Sequence, residues 1–381
     1  MKIPTITTIC GVALACASAG FAVPPTVTQW KRNTTGATGY GGALADVTLV
    51  RYSTTNVYVT CSGIPSYTIG PWNSPNTATA LNWVYKLPLN PVQNTGTATT
   101  VGLGHAAVLR DGTAIYNARD ARSYNNLGIW NQTAWVFERA SFDSCYGHPS
   151  PGREYHPHAY PTCLLGAIDV TKHSPLIGFA FDGFPIYGPF GYANADGTGG
   201  VTRITSSFQP RQITARTSLP NGTQLTASQY GPAISTAFPL GCYVEDWQYI
   251  AASGHLDRHN GRICVTPEYP AGTYCYFVTV NAVMAPVYPY TLGETYYGVV
   301  PPGNTGPNGG HNTPGSGESV QTLVGALCIA DIDGSRVVDG ADLGRLLSNW
   351  GDGGGAGDLD RNGVVDGADL GSLLAGWGPC L

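Results

Sequence analysis

Between Cys145 and Cys163 runs the segment CYGHPSPGREYHPHAYPTC, which holds three of the chain's eight histidines. His156 and His158 are two residues apart, so an extended backbone sends both imidazoles to one face. His148 can approach from the other arm if the two cysteines close the loop. Three converging imidazoles make a transition-metal site, and copper or zinc are the expected guests because neutral imidazole suits both. The competing expectation is a structural loop in which each imidazole is satisfied by main-chain carbonyls. His173, Asp182, His255 and His259 are further candidates as ligands or supporting partners. Asp182 precedes Gly183 and reads first as a turn residue. His255 and His259 would align only on a helix, and Gly254 and Gly261 mark that stretch as loop.

A second chemistry lies near the C-terminus. The run Asp331-Ile-Asp-Gly-Ser-Arg-Val-Val-Asp-Gly-Ala-Asp342 recurs 27 residues later as Asp358-Leu-Asp-Arg-Asn-Gly-Val-Val-Asp-Gly-Ala-Asp369. Oxygen-bearing side chains fall at loop positions 1, 3, 5, 9 and 12 in both copies. These are Asp331, Asp333, Ser335, Asp339 and Asp342, then Asp358, Asp360, Asn362, Asp366 and Asp369. The main-chain carbonyl of Val337 or Val364 stands at position 7. A hard calcium ion takes six to eight oxygen ligands from such a tightly curled loop. Position 6 is Gly363 in the second copy and Arg336 in the first, so the first loop is expected to turn less easily and bind more weakly.

The elements that must position these residues are of two kinds. From residue 23 to about 300 the chain alternates short β-rich runs with turn residues, as at 46–50, 56–60, 107–109 and 274–280. The stretch LIGFAFDGFPIYGPF, residues 176–190, places Asp182-Gly183 between two apolar arms and predicts a tight hairpin. Pro185 and Pro189 should then fall in an edge strand or a loop. Residues 301–325, opening with PPGNTGPNGGHNTPGSGE, predict a linker, because Pro, Gly, Asn, Thr and Ser cannot bury a core. Each aspartate loop should run into a short helix, with Leu343, Leu346, Leu347 and Trp350 on one and Leu370, Leu373, Leu374 and Trp377 on the other. The two apolar stripes are expected to bury each other, with Gly351 and Gly378 as stops. The fold class is therefore mainly β: a disulfide-bearing β-rich domain at 23–300, the linker at 301–325, and a small α-helical calcium module at 326–381.

Residues 1–22 read as an export signal. Lys2 is followed by an apolar run too short to span a bilayer, and small residues close it at Ala17-Ser18-Ala19 or Gly20-Phe21-Ala22. Cys16 follows Ala13-Leu14-Ala15, the outline of a lipoprotein processing site with Ala where Leu is usual. Removing the signal leaves eight cysteines, an even number for which disulfides are the natural expectation outside the cell. A clasp between Cys328 and Cys380 would bracket the calcium module. The expected location is extracellular, with the protein attached at a cell surface. The formal charge of -5 is local: residues 328–381 carry nine aspartates against three arginines, which leaves the remainder about +1. No basic stripe remains for nucleic acid, and no later segment is long and apolar enough for a membrane span.

Over residues 328–381 the paired loops and helices resemble type I dockerins. That resemblance implies two calcium sites and docking onto a cohesin-like receptor through loop positions 10 and 11. Here those positions are Gly340-Ala341 and Gly367-Ala368 instead of the commoner hydroxyl or charged types. The histidine segment, LIGFAFDGFPIYGPFGY and GHLDRHNGRICVTPEYPAGTYCYFVT together resemble the YHYH domain family. The run that names the family is Tyr155-His156-Pro157-His158 here, keeping both histidines and losing the second tyrosine. His259 stands where family members commonly carry cysteine.

No nucleophile elbow and no His-Glu-x-x-His run is present. The leading expectation is a metal-binding, non-enzymatic body tethered by the dockerin-like tail. One alternative is a secreted enzyme, either metal-dependent through the histidines or a glycosidase using carboxylates among Glu154, Glu245, Asp246 and Glu268. Another is a non-catalytic binder of polysaccharide through exposed Trp and Tyr.

Overall fold

Runs such as VTLVRY and NVYVTC are rich in β-branched and aromatic residues, and they pair into antiparallel ladders that bury one face. The computed structural model describes residues 23–306, 309–323, 329–333, 335, 337–352, 355, 357–360 and 362–379. Along the chain the strands that matter here are β1 (Val47–Tyr52), β2 (Asn56–Cys61), β3 (Trp83–Pro88), β4 (His105–Leu109), β5 (Ala114–Tyr116) and β6 (Gly147–Pro149). They are followed by β7 (Tyr155–Pro157), β8 (Leu176–Ala180), β9 (Pro185–Tyr187), β10 (Gly261–Thr266), β11 (Tyr269–Phe277) and β12 (Gln321–Thr322). The first sheet has the order β12-β1-β2-β3, and the second β10-β11-β9-β8-β4-β5. Val50, Val59, Leu87, Phe179, Phe181, Ile186 and Phe277 are fully buried in one core cluster drawn from both sheets. Each such side chain contributes roughly 1.5–3 kcal/mol on burial.

The chain divides into two compact units, residues 24–326 and a C-terminal unit from residue 327. The predicted linker is therefore corrected, because most of it packs on the first sheet. Val84 N donates to the Gly310 carbonyl and Asn312 N to that of Val84. The Asn304 side chain bridges both main-chain groups of Lys86 at 2.9 and 2.6 Å. Glu318 accepts from Ser53 and Tyr58, each at 2.6 Å, and β12 extends the ladder of β1. Polar residues that cannot build a core can still satisfy the open edge of an existing sheet.

The predicted hairpin forms as β8 and β9, with Phe179 opposite Pro185. The strand is not an edge: β9 lies inside the second sheet, and Pro185 is accommodated as its first residue, before the pairing with β11 begins at Ile186. Asp182 is a turn residue as expected, but it is fully buried. Its carboxylate accepts from Tyr276 Oη at 2.6 Å and Gly298 N at 2.8 Å, and burial raises its pKa to about 6.

Only Cys145 and Cys163 are disulfide-bonded among the described residues, while Cys61, Cys242, Cys264 and Cys275 are buried thiols. The expected export signal, Cys16 and the Cys328–Cys380 clasp lie outside the described residues, as does Arg336.

In the C-terminal unit the helices Gly340–Ser348 and Gly367–Ala375 follow the aspartate loops. Val338, Leu346, Leu359, Val365 and Leu373 form its small core, with Leu343 and Leu370 packed against it. The expectation that the full stripes bury each other is corrected: Leu347, Trp350, Leu374 and Trp377 are about half exposed. Each nine-residue helix makes about two and a half turns and ends before Trp350 or Trp377, so only part of each stripe faces the core.

Candidate metal centres

The Cys145–Cys163 disulfide closes a loop that contains the two-stranded ladder of β6 and β7. Such a closure limits the unfolded chain by about 3 kcal/mol on the loop-entropy model. Asp143 accepts from Cys145 N and Gly147 N and from Tyr155 Oη, fixing the start of β6 against β7. Gly147 is required there, since an added Cβ would stand 2.4 Å from the Tyr155 ring. In this register His148 lies directly opposite His156, and His158 follows two residues on, on the same face.

All three histidines are buried, and a ring nitrogen of each lies within 4.8 Å of the others. The partners of their Nδ1 atoms decide the tautomers. His156 Nδ1 faces the Glu154 carbonyl at 3.1 Å, and His158 Nδ1 faces the Asn117 carbonyl at 2.7 Å. A carbonyl only accepts, so both Nδ1 atoms carry the proton. His148 Nδ1 lies 2.7 Å from Ser141 Oγ, whose single proton goes to the Glu138 carbonyl at 2.6 Å. This hydroxyl must also accept. In its neutral form each ring therefore presents a bare Nε2, and those of His156 and His158 stand 3.2 Å apart.

The group has a fourth member that the sequence reading missed. Glu138 caps the short helix Ala134–Phe137, and its Oε2 lies 3.1 Å from His158 Nε2 and 3.9 Å from His148 Nε2. That oxygen is buried and makes no aligned hydrogen bond. Burial pushes the Glu138 carboxyl up, but the neighbouring His158, with His148, outweighs it and holds it below the usual range. Burial, then the neighbouring His158, brings His148 down to about 4. His156 is pushed well below its ordinary value by burial and by both neighbours. At neutral pH these two imidazoles are uncharged and their lone pairs are available.

Around the cluster, the Tyr116 ring stacks on His156 with centroids 3.7 Å apart, and Tyr116 Oη donates to Glu154 at 2.5 Å. His105 Nε2 meets the same carboxylate at 2.6 Å. Glu138, the three histidines, Tyr116 and Arg119 lie on the wall of a cleft of about 360 Å³.

The other sequence candidates lie elsewhere. His173 Nδ1 donates to Ser174 O, His255 pairs with Thr205 and His259 with Thr295. None of them joins the cluster, and neither does Asp182. Of the carboxylates considered for hydrolysis, Glu154 is held by His105 and Tyr116, Glu245 by Asn131, Asp246 by Arg216 and Glu268 by Tyr187.

In the C-terminal unit, carboxylate oxygens of Asp331, Asp333 and Asp342 lie within 4.8 Å of one another, as do those of Asp358, Asp360 and Asp369. Asp342 accepts from Asp333 N and Asp339 N, and Asp369 from Asp360 N and Asp366 N. The position-9 residues, Asp339 and Asp366, cap the following helices by accepting from Ala341 N and Ala368 N, each at 2.8 Å. Ser335 Oγ donates to the Val337 carbonyl, and Asn362 Oδ1 accepts from Val364 N.

Residues 84–289 match the family model of the YHYH proteins, more than half of the chain and including all four members of the histidine group. No curated protein and no solved structure matches the chain.

Proposed function

This chain belongs to the YHYH protein family, and from that premise we propose that residues 24–326 form an exported copper- or zinc-binding body. In this reading the C-terminal dockerin-type unit binds calcium and attaches the body to an extracellular or cell-surface assembly through a cohesin-like receptor. The observation that carries the proposal is the convergence of four acceptors, the Nε2 atoms of His148, His156 and His158 and Oε2 of Glu138, with every Nδ1 proton committed elsewhere. Four lone-pair donors facing one another repel unless a cation stands among them. Two nitrogens on a tetrahedral metal at about 2.0–2.1 Å are about 3.3 Å apart, close to the 3.2 Å between His156 and His158. Nitrogen and oxygen donors without thiolate suit copper and zinc, with copper the narrow favourite.

Elemental analysis of the protein purified from an oxidising compartment tests this. We expect about one copper or zinc per chain, lost in the His156→Ala, His158→Ala double variant. Wild-type protein that stays metal-free under copper and zinc titration would reduce the group to a proton-sharing structural cluster. The same titration with an optical and electron-spin readout separates copper from zinc.

The two aspartate trios support the calcium assignment, since three carboxylates and a helix-capping fourth in each loop are hard oxygen donors. Half-exposed Leu347, Trp350, Leu374 and Trp377 offer apolar surface for a receptor. The cleft beside the histidines supports one second reading, a metal-dependent enzyme. Metal-dependent turnover that disappears in the same double variant would select it.

A further inference from the structure

We propose that Cys264 and Cys275 are a dithiol that closes into a second disulfide when the chain matures in an oxidising compartment. Cys264 lies on β10 opposite Thr273, and Cys275 lies on β11 opposite Arg262. The two cysteines are therefore diagonal neighbours on one face of the ladder. Both are buried, the two thiols are close enough to influence each other, and the Cys275 thiol donates to the Thr273 carbonyl at 3.6 Å. Diagonal Cα pairs in a regular ladder are about 7–8 Å apart, slightly more than a disulfide spans without backbone movement. The ladder is irregular between Cys264 and Thr266, which gives the backbone room to close the remainder.

Their surroundings distinguish the two thiols. The neighbouring Cys275 lowers the Cys264 thiol, burial opposes this, and the charge of Arg262 adds to the lowering. Burial pushes Cys275 up. Cys264 is thus the nucleophile and Cys275 the resolving thiol. The oxidant is a disulfide, either of an oxidoreductase or of a small thiol. Cys264 loses its proton and its thiolate attacks one sulfur of that disulfide, forming a mixed disulfide and releasing the first thiol. Cys275 then loses its proton and attacks the Cys264 sulfur, releasing the second thiol. Two thiols are oxidised and one disulfide is reduced. The bond would pin β10, the edge strand of the second sheet, to its neighbour. Cys61 and Cys242 are placed differently: Cys61 hydrogen-bonds the Gly112 carbonyl, and Cys242 lies 3.6 Å from the Arg216 guanidinium.

The test uses the full chain exported to a bacterial periplasm, denatured without reductant in N-ethylmaleimide, then cut with chymotrypsin between the cysteines at Tyr274. Mass spectrometry should find the Cys264 and Cys275 peptides joined and lighter by two hydrogens than their sum, with neither cysteine alkylated. In Cys264→Ser protein, Cys275 should become fully alkylated. Maleimide on both cysteines of the wild type would overturn the proposal, as would either cysteine linked to Cys61 or Cys242. The wild-type measurement stands even if the variant fails to fold.

Discussion

In the histidine group the donor atoms come from two strands, from the residue just past the second and from a helix end ten residues before His148; the histidines and Glu138 Oε2 are buried. In each aspartate loop the donors lie within twelve consecutive residues on a largely exposed turn. The histidines are held by hydrogen bonds on their far nitrogens, so the fold arranges the lone pairs before any ion arrives. The aspartate carboxylates are held by main-chain N–H groups of the same loop, so their arrangement depends on local backbone order. The first kind of site should bind metal with little change in structure. The second should couple ion binding to folding.

The largest expected effect that can break this contrast is loss of the transition metal in the His156→Ala, His158→Ala variant. Its affinity should fall by more than about a thousandfold, since two of four donors are gone. The calcium response followed by circular dichroism should stay unchanged. Calcium stoichiometry that fell with the histidines would mean the two regions are not independent.

Next in size is the converse pair, Asp342→Ala with Asp369→Ala. Each change removes a position-12 carboxylate that also ties its loop to the helix, and on the proposed reading calcium affinity should drop by at least about a hundredfold. Calorimetry should show copper or zinc binding as in the wild type.

A smaller change sharpens the assignment of Glu138. Glu138→Gln removes the charge while keeping the size, and metal affinity should weaken by about tenfold to a hundredfold. If titration showed no change, the carboxylate would be only a neighbour of the site. Ser141→Ala should weaken binding by about tenfold, because it removes the acceptor that fixes the His148 tautomer.

The smallest effect separates the fold from both metal regions. Hydrogen bonds from Asn56, Ser53 and Tyr58 hold the Glu318 carboxyl down to about 2. Its folded pKa lies below its unfolded value, so its stabilisation is complete above the ordinary carboxyl range and is lost as pH falls toward about 2. Urea melts across that range should flatten in Glu318→Gln, and protease should then cut sooner near residues 309–323.

Local pattern determined a good deal about this chain. Alternating β-branched runs located β1 and β2, the Asp182-Gly183 pair located the β8–β9 turn, and the His156, His158 spacing put two imidazoles on one face. Repetition alone located both aspartate loops and the helices after them. In each case the physical cause spans only a few residues. Tertiary structure decided what depends on distant partners. Glu138 carries no signal in its own neighbourhood and becomes a candidate ligand only because the end of its helix is held beside β6 and β7. Residues 301–306 and 309–323 have a linker's composition and still pack, since the edge of β1 and the main chain of β3 supply hydrogen-bond partners that the segment lacks. Pro185 sits inside a sheet because it is the first residue of its strand, before pairing on the second side begins. The aspartate sites are written in the sequence because one turn of backbone gathers them. The histidine centre is completed only when burial brings separate elements together and leaves four lone pairs facing inward.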